Sequence, residues 1–375
     1  MPDSIAEKMQ QGVEDGVFPG GVLLVSYHDE IVHHAAYGHA CLIPYPEPAS
    51  CETLYDLASL TKPLAAVTAT ALLVADGRIS VDDVLKRFVP ELHQEGLPQA
   101  TLRHLLNHAT GLPAWRPFYE QIVPDGSRLR EFGLSTRLGA VYEAIHREPL
   151  IEGVGTRSLY SDLGFILLGE ILERVTGKDW ASFCHDEVFP RMGSGGLFYM
   201  SETGPTGGMT IGSRSFAATE QDDWRGRLLR GEVHDEHAAV MGGIAAHAGL
   251  FGTARAVYDA VRVWLAAVRG AESPLPTTWA REFVRRQKIA PGSSWGLGWD
   301  TPSAGPAGEP SASGRFFSAS SFGHLGFSGT SVWADPERSL IVVLLTNRVH
   351  PTRTNNRIRQ FRPALHDTVL TSVLA

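Results

Sequence analysis

Cysteine is scarce in this chain. Its 375 residues hold three, Cys41, Cys51 and Cys184, an odd number with no CxxC pair. That pattern supports neither a disulfide framework nor a structural zinc cluster. The expectation is three reduced, partly buried thiols. Long apolar runs are also missing. No segment offers about 18 uninterrupted apolar residues, and the N-terminus lacks a basic start followed by an apolar stretch. A soluble, cytoplasmic protein is expected, or a periplasmic one if a leader has been removed. Basic residues are outnumbered, 33 Lys and Arg against 41 Asp and Glu, for a net charge of −8. This argues against broad nucleic-acid binding and leaves room for a local basic patch. Among the basic residues lysine is the rarest, with only Lys8, Lys62, Lys86, Lys178 and Lys288. The other basic residues are Arg, which does not deprotonate at ordinary pH, whereas a buried Lys can act as a base.

What is present is an ordinary globular composition, 43% hydrophobic and 20% charged. At roughly 100–200 residues per domain, the length allows two or three units or one large fold with an insertion. Ile5, Met9 and Val13 share one helical face, with Gly16 as a stop. Gly21–Tyr27 and Ile31–Tyr37 read as strands joined by a hairpin at His28-Asp29-Glu30. Leu60–Ala75 reads as a buried helix. Ser80–Asp83 opens a short helix ended by Pro90, Thr101 precedes a helix over Leu102–Ala109, and Asp162 precedes one over Leu163–Thr176. Ser201–Gly231 reads as loop and Ala254–Val268 as helix. Trp295–Trp299, Ser321–Leu325, Thr330–Ala334 and Leu340–Thr346 are strand-like, and a closing helix is expected over Arg359–Leu374. Pro302–Ser320, rich in Gly, Pro, Ser and Ala, reads as a mobile loop. Strands at both ends of the chain thus flank a helical block, and can share one antiparallel sheet.

Several clusters could carry chemistry. Ser59-Leu-Thr-Lys62 puts a serine and a lysine on one turn at a helix start, where free N–H groups and the helix dipole favour negative charge. The same letters fit an N-cap serine with a solvated lysine. Tyr160-Ser-Asp162 precedes an amphipathic helix. Tyr160 could relay protons, or pack as a staple beside an Asp162 cap. Gly323-His-Leu-Gly-Phe-Ser-Gly-Thr330 is a glycine-rich strand region that could offer an N–H to an oxyanion, or be a bulge with a lone histidine. His234/His237 and His104/His108 could suggest metal, but lack the glutamate of HExxH and a third ligand. The basic tail Arg348, Arg353, Arg357, Arg359 and Arg362 fits a solvated face, or an anionic-substrate contact near Asn347 and Arg348.

Together and in this order, these motifs resemble the serine β-lactamase and penicillin-binding-protein superfamily. The closest resemblance is to its class C β-lactamase-like branch, with D,D-peptidases and family VIII esterases. SxxK is Ser59–Lys62, YxN/D is Tyr160–Asp162, and K/H-x-G is His324–Gly326. Tyr55–Lys62, Leu102–Leu112 and Gly242–Phe251 also look like this branch. The resemblance implies an α+β fold, with an antiparallel sheet flanked by helices plus a mostly helical inserted domain. Residues 1–75 with 245–375 would form a discontinuous domain, residues 76–244 the helical one, and the cleft between them the active site. It implies Ser59 as acylated nucleophile, Lys62 as its base, Tyr160 sharing proton transfer, and His324 in place of the third-motif lysine. The oxyanion hole would be the N–H groups of Ser59 and Phe327, the latter following Gly326. The reaction would be acyl transfer on a small-molecule ester or amide (a β-lactam, D-amino-acid peptide or carboxylic ester), with no metal or cofactor.

Two positions depart from the pattern. Asp162 stands for the commoner Asn. An ionised Asp162 would hold Lys62 charged and oppose its role as base, so it either turns away as a helix cap or changes the proton inventory. Leu325 stands where the family has a Thr or Ser hydroxyl that helps hold a substrate carboxylate. Its loss, with His for Lys, weakens the case for efficient β-lactam hydrolysis, and Ser328 or Arg348 would have to compensate. A β-lactamase-fold binding or scaffold protein with weak or no activity is therefore the alternative. Metal-dependent hydrolysis through the His clusters is a third reading.

Overall fold

The computed structural model of the protein describes residues 2–303 and 311–374. The first part of the chain forms α1 (Pro2–Glu14), β1 (Gly20–Tyr27), β2 (Glu30–Cys41), β3 (Glu47–Pro48) and β4 (Tyr55–Asp56). A 3₁₀ turn, Ala58–Leu60, and a π-type segment, Lys62–Val67, then run into α2 (Thr68–Ala75). The middle holds α3 (Leu102–Leu106), α4 (Phe118–Ile122), α5 (Leu134–Arg147), α6 (Asp162–Thr176) and α7 (Trp180–Phe183). Next come β5 (Phe198–Ser201), β6 (Gly204–Pro205), β7 (Ala218–Asp222), β8 (Arg227–Arg230) and α8 (Glu236–Val240). The last part is β9 (Leu250–Gly252), α9 (Ala254–Arg269), α10 (Thr277–Val284), β10 (Phe322–Leu325), β11 (Ser331–Asp335), β12 (Leu340–Thr346) and α11 (Ile358–Val373).

Both ends of the chain meet in one six-stranded sheet, in the order β10-β11-β12-β1-β2-β3. All its pairings are antiparallel, and Leu23 of β1 faces Leu344 of β12. β1 and β12 are buried on both faces, which is why their sequences read as near-continuous apolar runs. Side chains alternate with the pleat. Val22, Leu24, Val343 and Leu345 pack toward Val257, Val261 and Trp264 of α9. Leu23, Val25, Val342 and Leu344 pack toward Ile5 and Met9 of α1 and Leu365 and Val369 of α11. His28 and Asp29, with φ of 50° and 66°, make the tight β1–β2 turn.

Several segments differ from the sequence expectation, each for a local reason. Ser80–Asp83 opens no α-helix. Asp83 accepts the Ser80 N–H and Ser80 Oγ accepts the Asp82 N–H, so side chains compete for the backbone. A single 3₁₀ turn, Leu85–Arg87, follows. α3 stops at Leu106, because His108 takes a left-handed φ of 56°. Ser201–Gly231 contains the β7–β8 hairpin rather than only loop. Trp295–Trp299 is a tight turn, closed by Gly296 N–H to Trp299 O at 2.7 Å. Asn107 Nδ2 donates to the carbonyls of Trp295 and Gly296, and the backbone pairing left is the isolated bridge of Trp295 with Asp300. Of the expected Pro302–Ser320 loop, residues 304–310 lie outside the described residues.

Candidate active site

Ser59 sits in a short turn that is held from several sides. The buried Asp56 carboxylate accepts the N–H of Ala58 at 2.8 Å and of His234 at 2.7 Å. Ala58, just before the serine, has φ 46°, a conformation a non-glycine residue adopts only when its surroundings impose it. Leu250 grips the turn on both sides, its carbonyl accepting the Leu57 N–H and its N–H donating to Thr61 Oγ1. Chain direction then passes into the π-type segment. Pro63 starts it without an N–H to lose, and Thr68 Oγ1 donates to Pro63 O at 2.8 Å.

Lys62, one turn on, is completely buried. Its three ammonium hydrogens find three acceptors: Ser59 Oγ at 3.1 Å, Asp162 Oδ1 at 2.6 Å and His247 O at 3.1 Å. Burial by itself lowers the lysine, but Asp162 and Tyr160 outweigh it and hold the group above the ordinary lysine range. Asp162 therefore does not turn away as a cap. Ser161 caps α6 instead, its Oγ accepting the Gly164 N–H. That frees the neighbouring carboxylate for Lys62. His247 presents its carbonyl from the loop before β9, and its ring is clamped to Asp235 at 2.8 Å.

Tyr160 packs over Lys62, whose Nζ lies 4.9 Å from the ring centre. Its hydroxyl is buried and has no hydrogen-bond partner among the described residues. Burial raises it, against the pull of Lys62. Two imidazoles flank the ring, His108 at 4.6 Å and His324 at 5.9 Å between centres. His324 Nδ1 donates to Leu325 O at 2.8 Å, so its buried, unpartnered Nε2 carries the lone pair. Burial first, and Lys62 second, push it down to about 3, so it is neutral near pH 7. His108 is the mirror case: its Nδ1 accepts the Ser161 N–H, so its Nε2 carries the hydrogen. Burial and Lys62 lower it well below the usual histidine range.

The β10–β11 turn closes the site. Ser328 Oγ donates to Asp56 O at 2.8 Å and Thr330 Oγ1 to Leu57 O at 3.0 Å, which ties the turn to the strand before Ser59. Gly326 is required there, since a Cβ would overlap Thr330 Oγ1 and Leu57 O. The Phe327 N–H has no partner among the described residues. Its half-exposed ring is stacked between His234 at 5.7 Å and the Arg348 guanidinium at 4.4 Å. Arg348 Nε donates to Phe327 O at 2.8 Å.

A cavity of about 600 Å³ opens above these groups, lined by Ser59, Tyr160, Asp162, His324, Gly326 and Phe327 among others. Arg348 also lines it, while Ser328 is buried behind the turn and does not. Among the described residues, no group of three or more His, Cys, Asp or Glu side chains is placed to hold a metal ion. His104 caps α3, His234 bonds Glu220, and His237 lies in a box of Trp115, Phe118 and Tyr119 rings. His247, Trp295 and Asp56 were not singled out from sequence, and His108 was noted only as a possible metal ligand. Three of them fall within or beside the stretches that carried the resemblance, but His247 acts through its carbonyl, which no side-chain pattern reveals.

The beta-lactamase family model matches residues 5–365. A protein of Salmonella agona (strain SL483) named "Putative D-alanyl-D-alanine carboxypeptidase" is 28% identical over 364 residues, covering 92% of this chain and 82% of that one. Among solved structures, "EstCE1, a hydrolase with promiscuous acyltransferase activity" superposes with a TM-score of 0.71 at 21% identity, over 97% of this chain and 98% of its own. A class C beta-lactamase from Rhodobacter sphaeroides gives 0.70 at 18%, over 100% of both chains. These structural likenesses show the shared fold. With a family match running from residue 5 to residue 365, the chain belongs to the beta-lactamase family.

Proposed function

We propose that the protein is a serine hydrolase that forms an acyl-enzyme at Ser59 on a small ester or amide. The observation that carries this reading is the 3.1 Å bond from Lys62 Nζ to Ser59 Oγ, at a cavity wall formed by Tyr160, His324 and Phe327. The family supports it, as do the names of relatives and structural neighbours, which all describe acyl transfer or hydrolysis.

The resting Lys62 is an ammonium with all three hydrogens engaged, so it has no lone pair to offer. Its part is electrostatic: its bond to Oγ stabilises the serine oxyanion as it forms. The serine proton leaves toward Tyr160, whose hydroxyl hands its own proton to the leaving group in the same step, while His324, lowered to about 3, stays neutral and adds no further positive charge beside Lys62. Ser59 Oγ attacks the substrate carbonyl, and the C–O or C–N bond to the leaving group breaks. Water then cleaves the ester at Ser59. The developing carbonyl oxyanion faces the free Phe327 N–H and the N–H of Ser59.

The test is turnover of p-nitrophenyl acetate and nitrocefin by the protein and by Ser59→Ala, with intact-mass detection of an adduct after a fluorophosphonate. Activity equal to the Ser59→Ala protein on both substrates, with no adduct, would sink the proposal. One observation favours the alternative of a binding protein without turnover, namely the charge on Lys62. That reading predicts ligand binding with no covalent adduct.

A further inference from the structure

Two amides face the place of the oxyanion, and neither is spent on the protein. The Ser59 N–H and the Phe327 N–H find no acceptor among the described residues. They belong to segments far apart in the chain, the turn after β4 and the turn between β10 and β11. One residue, Asp56, is bonded into both. It ends β4 and is 2% exposed. Its Oδ1 accepts the Ala58 N–H at 2.8 Å, the amide two residues on, which closes an Asx turn. That turn holds Ala58 at φ 46° and, with it, the peptide unit that carries the Ser59 N–H. The main-chain oxygen of Asp56 accepts Ser328 Oγ at 2.8 Å, one residue from the Phe327 amide. Its Oδ2 accepts the His234 N–H at 2.7 Å, and the His234 ring stacks on that of Phe327 at 5.7 Å.

The Asp56 carboxylate has no ion pair. Among the described residues, no Lys, Arg or His side-chain nitrogen lies within 4.0 Å of it. Other buried carboxylates are paired: Asp222 with Arg225 at 3.1 Å, and Asp335 with Arg338 at 2.7 Å. A buried carboxylate without a cation is costly even when amides satisfy it. Burial accordingly raises the Asp56 carboxyl above the usual range, against the pull of its two amides. Bonds from N–H groups to a charged acceptor are shorter and stronger than those to a neutral one. The negative charge therefore tightens the two amides it holds, and its effect is one of position.

We propose that Asp56 is the positioning residue of the oxyanion hole, aligning the Ser59 N–H through Ala58 and the Phe327 N–H through Ser328 and His234. The assignment rests on the reading of Ser59 as the acylated residue. Asp56 itself does not line the cavity. Asp56→Asn keeps the shape but exchanges one acceptor oxygen for an NH₂ donor, so either Ala58 or His234 loses its acceptor. Ser328→Ala removes only the main-chain tie.

The experiment measures the p-nitrophenol burst from p-nitrophenyl acetate and the affinity for phenylboronic acid. The tetrahedral adduct of that acid with Ser59 Oγ puts a boronate oxygen where the carbonyl oxyanion would form. Loss of one oxyanion donor typically costs about 100- to 1000-fold, so Asp56→Asn should acylate about 100-fold more slowly and bind the boronate about 100-fold more weakly. Its substrate dissociation constant should stay within about threefold of wild type, since the ground-state carbonyl gains little from the hole. Ser328→Ala should lose about tenfold in both acylation and boronate affinity. Trp180→Phe, which breaks the bond to Tyr199 on α7 away from the cavity, is the stability control. It should melt earlier than wild type and acylate at the wild-type rate. If Asp56→Asn folds and its boronate affinity is unchanged, or if its burst falls only in step with the folded fraction, Asp56 is structural and the assignment is overturned. Should Asp56→Asn not fold, Ser328→Ala decides, and acylation and boronate affinity within about twofold of wild type there overturn the assignment. A wild type with neither burst nor boronate adduct beyond Ser59→Ala overturns the Ser59 reading and the assignment with it. An active wild type beside an equally active Asp56→Asn overturns the assignment alone.

Discussion

Two buried cationic centres lie at one cavity, Lys62 behind Ser59 and the arginines on its wall, and they are built in opposite ways. Lys62 donates to three separate parts of the chain: its own turn at Ser59, the start of α6 at Asp162, and the loop before β9 at His247. One of the three is a carboxylate, so the charge is cancelled where it stands. Arg348 and Arg362 are held only by carbonyls of the C-terminal segment, and their charge is left over. A cation compensated from within the protein is built to keep its charge through the reaction cycle. The charge of Arg348 and Arg362 meets no carboxylate within 4.0 Å among the described residues. The same cavity thus has a neutralised cation behind one wall and uncancelled positive charge on another.

The largest effect expected at the compensated centre is chemical. Ser59→Ala should lower acyl transfer by about a thousand- to a million-fold, the range of nucleophile deletions, while the fold persists. Stopped-flow bursts and intact-mass adducts read this directly, and a residual burst in Ser59→Ala would show that the Lys62 centre serves some other group. Next comes Asp162→Asn, which strips the compensation and leaves the carbonyl and hydroxyl bonds. Breaking a buried pair from one side costs about 3–5 kcal/mol, which we reduce to about 2–4 kcal/mol because Asp162 is 20% exposed. The sign of its pH dependence is distinctive. Without Asp162, burial pulls the folded Lys62 pKa below its unfolded value of about 10.4. The unfolded chain then binds more protons between the two values, and stability of the variant rises with pH across that window. The wild type, whose folded Lys62 is raised, gains nothing there. Urea midpoints at pH 6 to 9 check this, and a flat difference between the two proteins would mean that Asp162 does not set the lysine's charge.

The difference between the centres also separates what could be read in the sequence from what could not. Ser59, Lys62, Tyr160 and His324 were visible as letters at fixed spacings; Ser59, Tyr160 and His324 line one cavity, and Lys62 is buried behind Ser59. The two-ended sheet was visible too, because β1 and β12 carry apolar runs that only burial on both faces explains. The direction of Asp162 was not. It depends on Ser161, one residue earlier, taking the cap of α6, and either residue type caps a helix well. The third bond to Lys62 comes from a backbone carbonyl of His247, 185 residues away, which composition cannot signal. The arginine wall was only partly legible for a related reason. Arg362 stands in a run of basic residues that fits a solvated face, and only the packing of α11 against the β10–β11 turn buries it. Local misreadings followed the same rule. At Ser80–Asp83 side-chain bonds to the backbone displaced the helix, and at Trp295–Trp299 the chain closes on itself, Gly296 N–H to Trp299 O, around a distant Asn107.

A smaller prediction concerns the histidines beside the two centres. His324 is depressed by burial and then by Lys62, and His366 by burial and then by Arg362, both to about 3. A histidine lowered from about 6.5 binds its proton more readily when unfolded. Stability therefore falls as pH drops from about 6.5 toward 3, each group costing up to about 1.4 kcal/mol per pH unit. His324→Gln should flatten the pH 6 to 5 loss in chemical unfolding by about half of what the two contribute together. An unchanged slope would place a proton on His324 already at pH 7, adding charge beside Lys62.

The smallest expected effect has the opposite sign from Asp162→Asn. Arg362→Met replaces an uncompensated buried cation with an apolar side chain of similar length. Thr330 O loses a donor but keeps the Gly326 N–H at 2.8 Å, so no acceptor is stranded. Replacing buried charge by well-packed apolar groups is neutral or stabilising by about 1–4 kcal/mol elsewhere. The low end, about 0–1 kcal/mol, is expected here because the Met cannot fill every contact of the guanidinium. The gain should grow toward pH 5, since His366 is relieved of its cationic neighbour and regains part of its proton affinity. Calorimetric melting at pH 7 and pH 5, without added oxyanions, measures both. A loss of 2 kcal/mol or more at pH 7 would mean that Arg362 is as fully compensated as Lys62, and the contrast between the two centres would collapse.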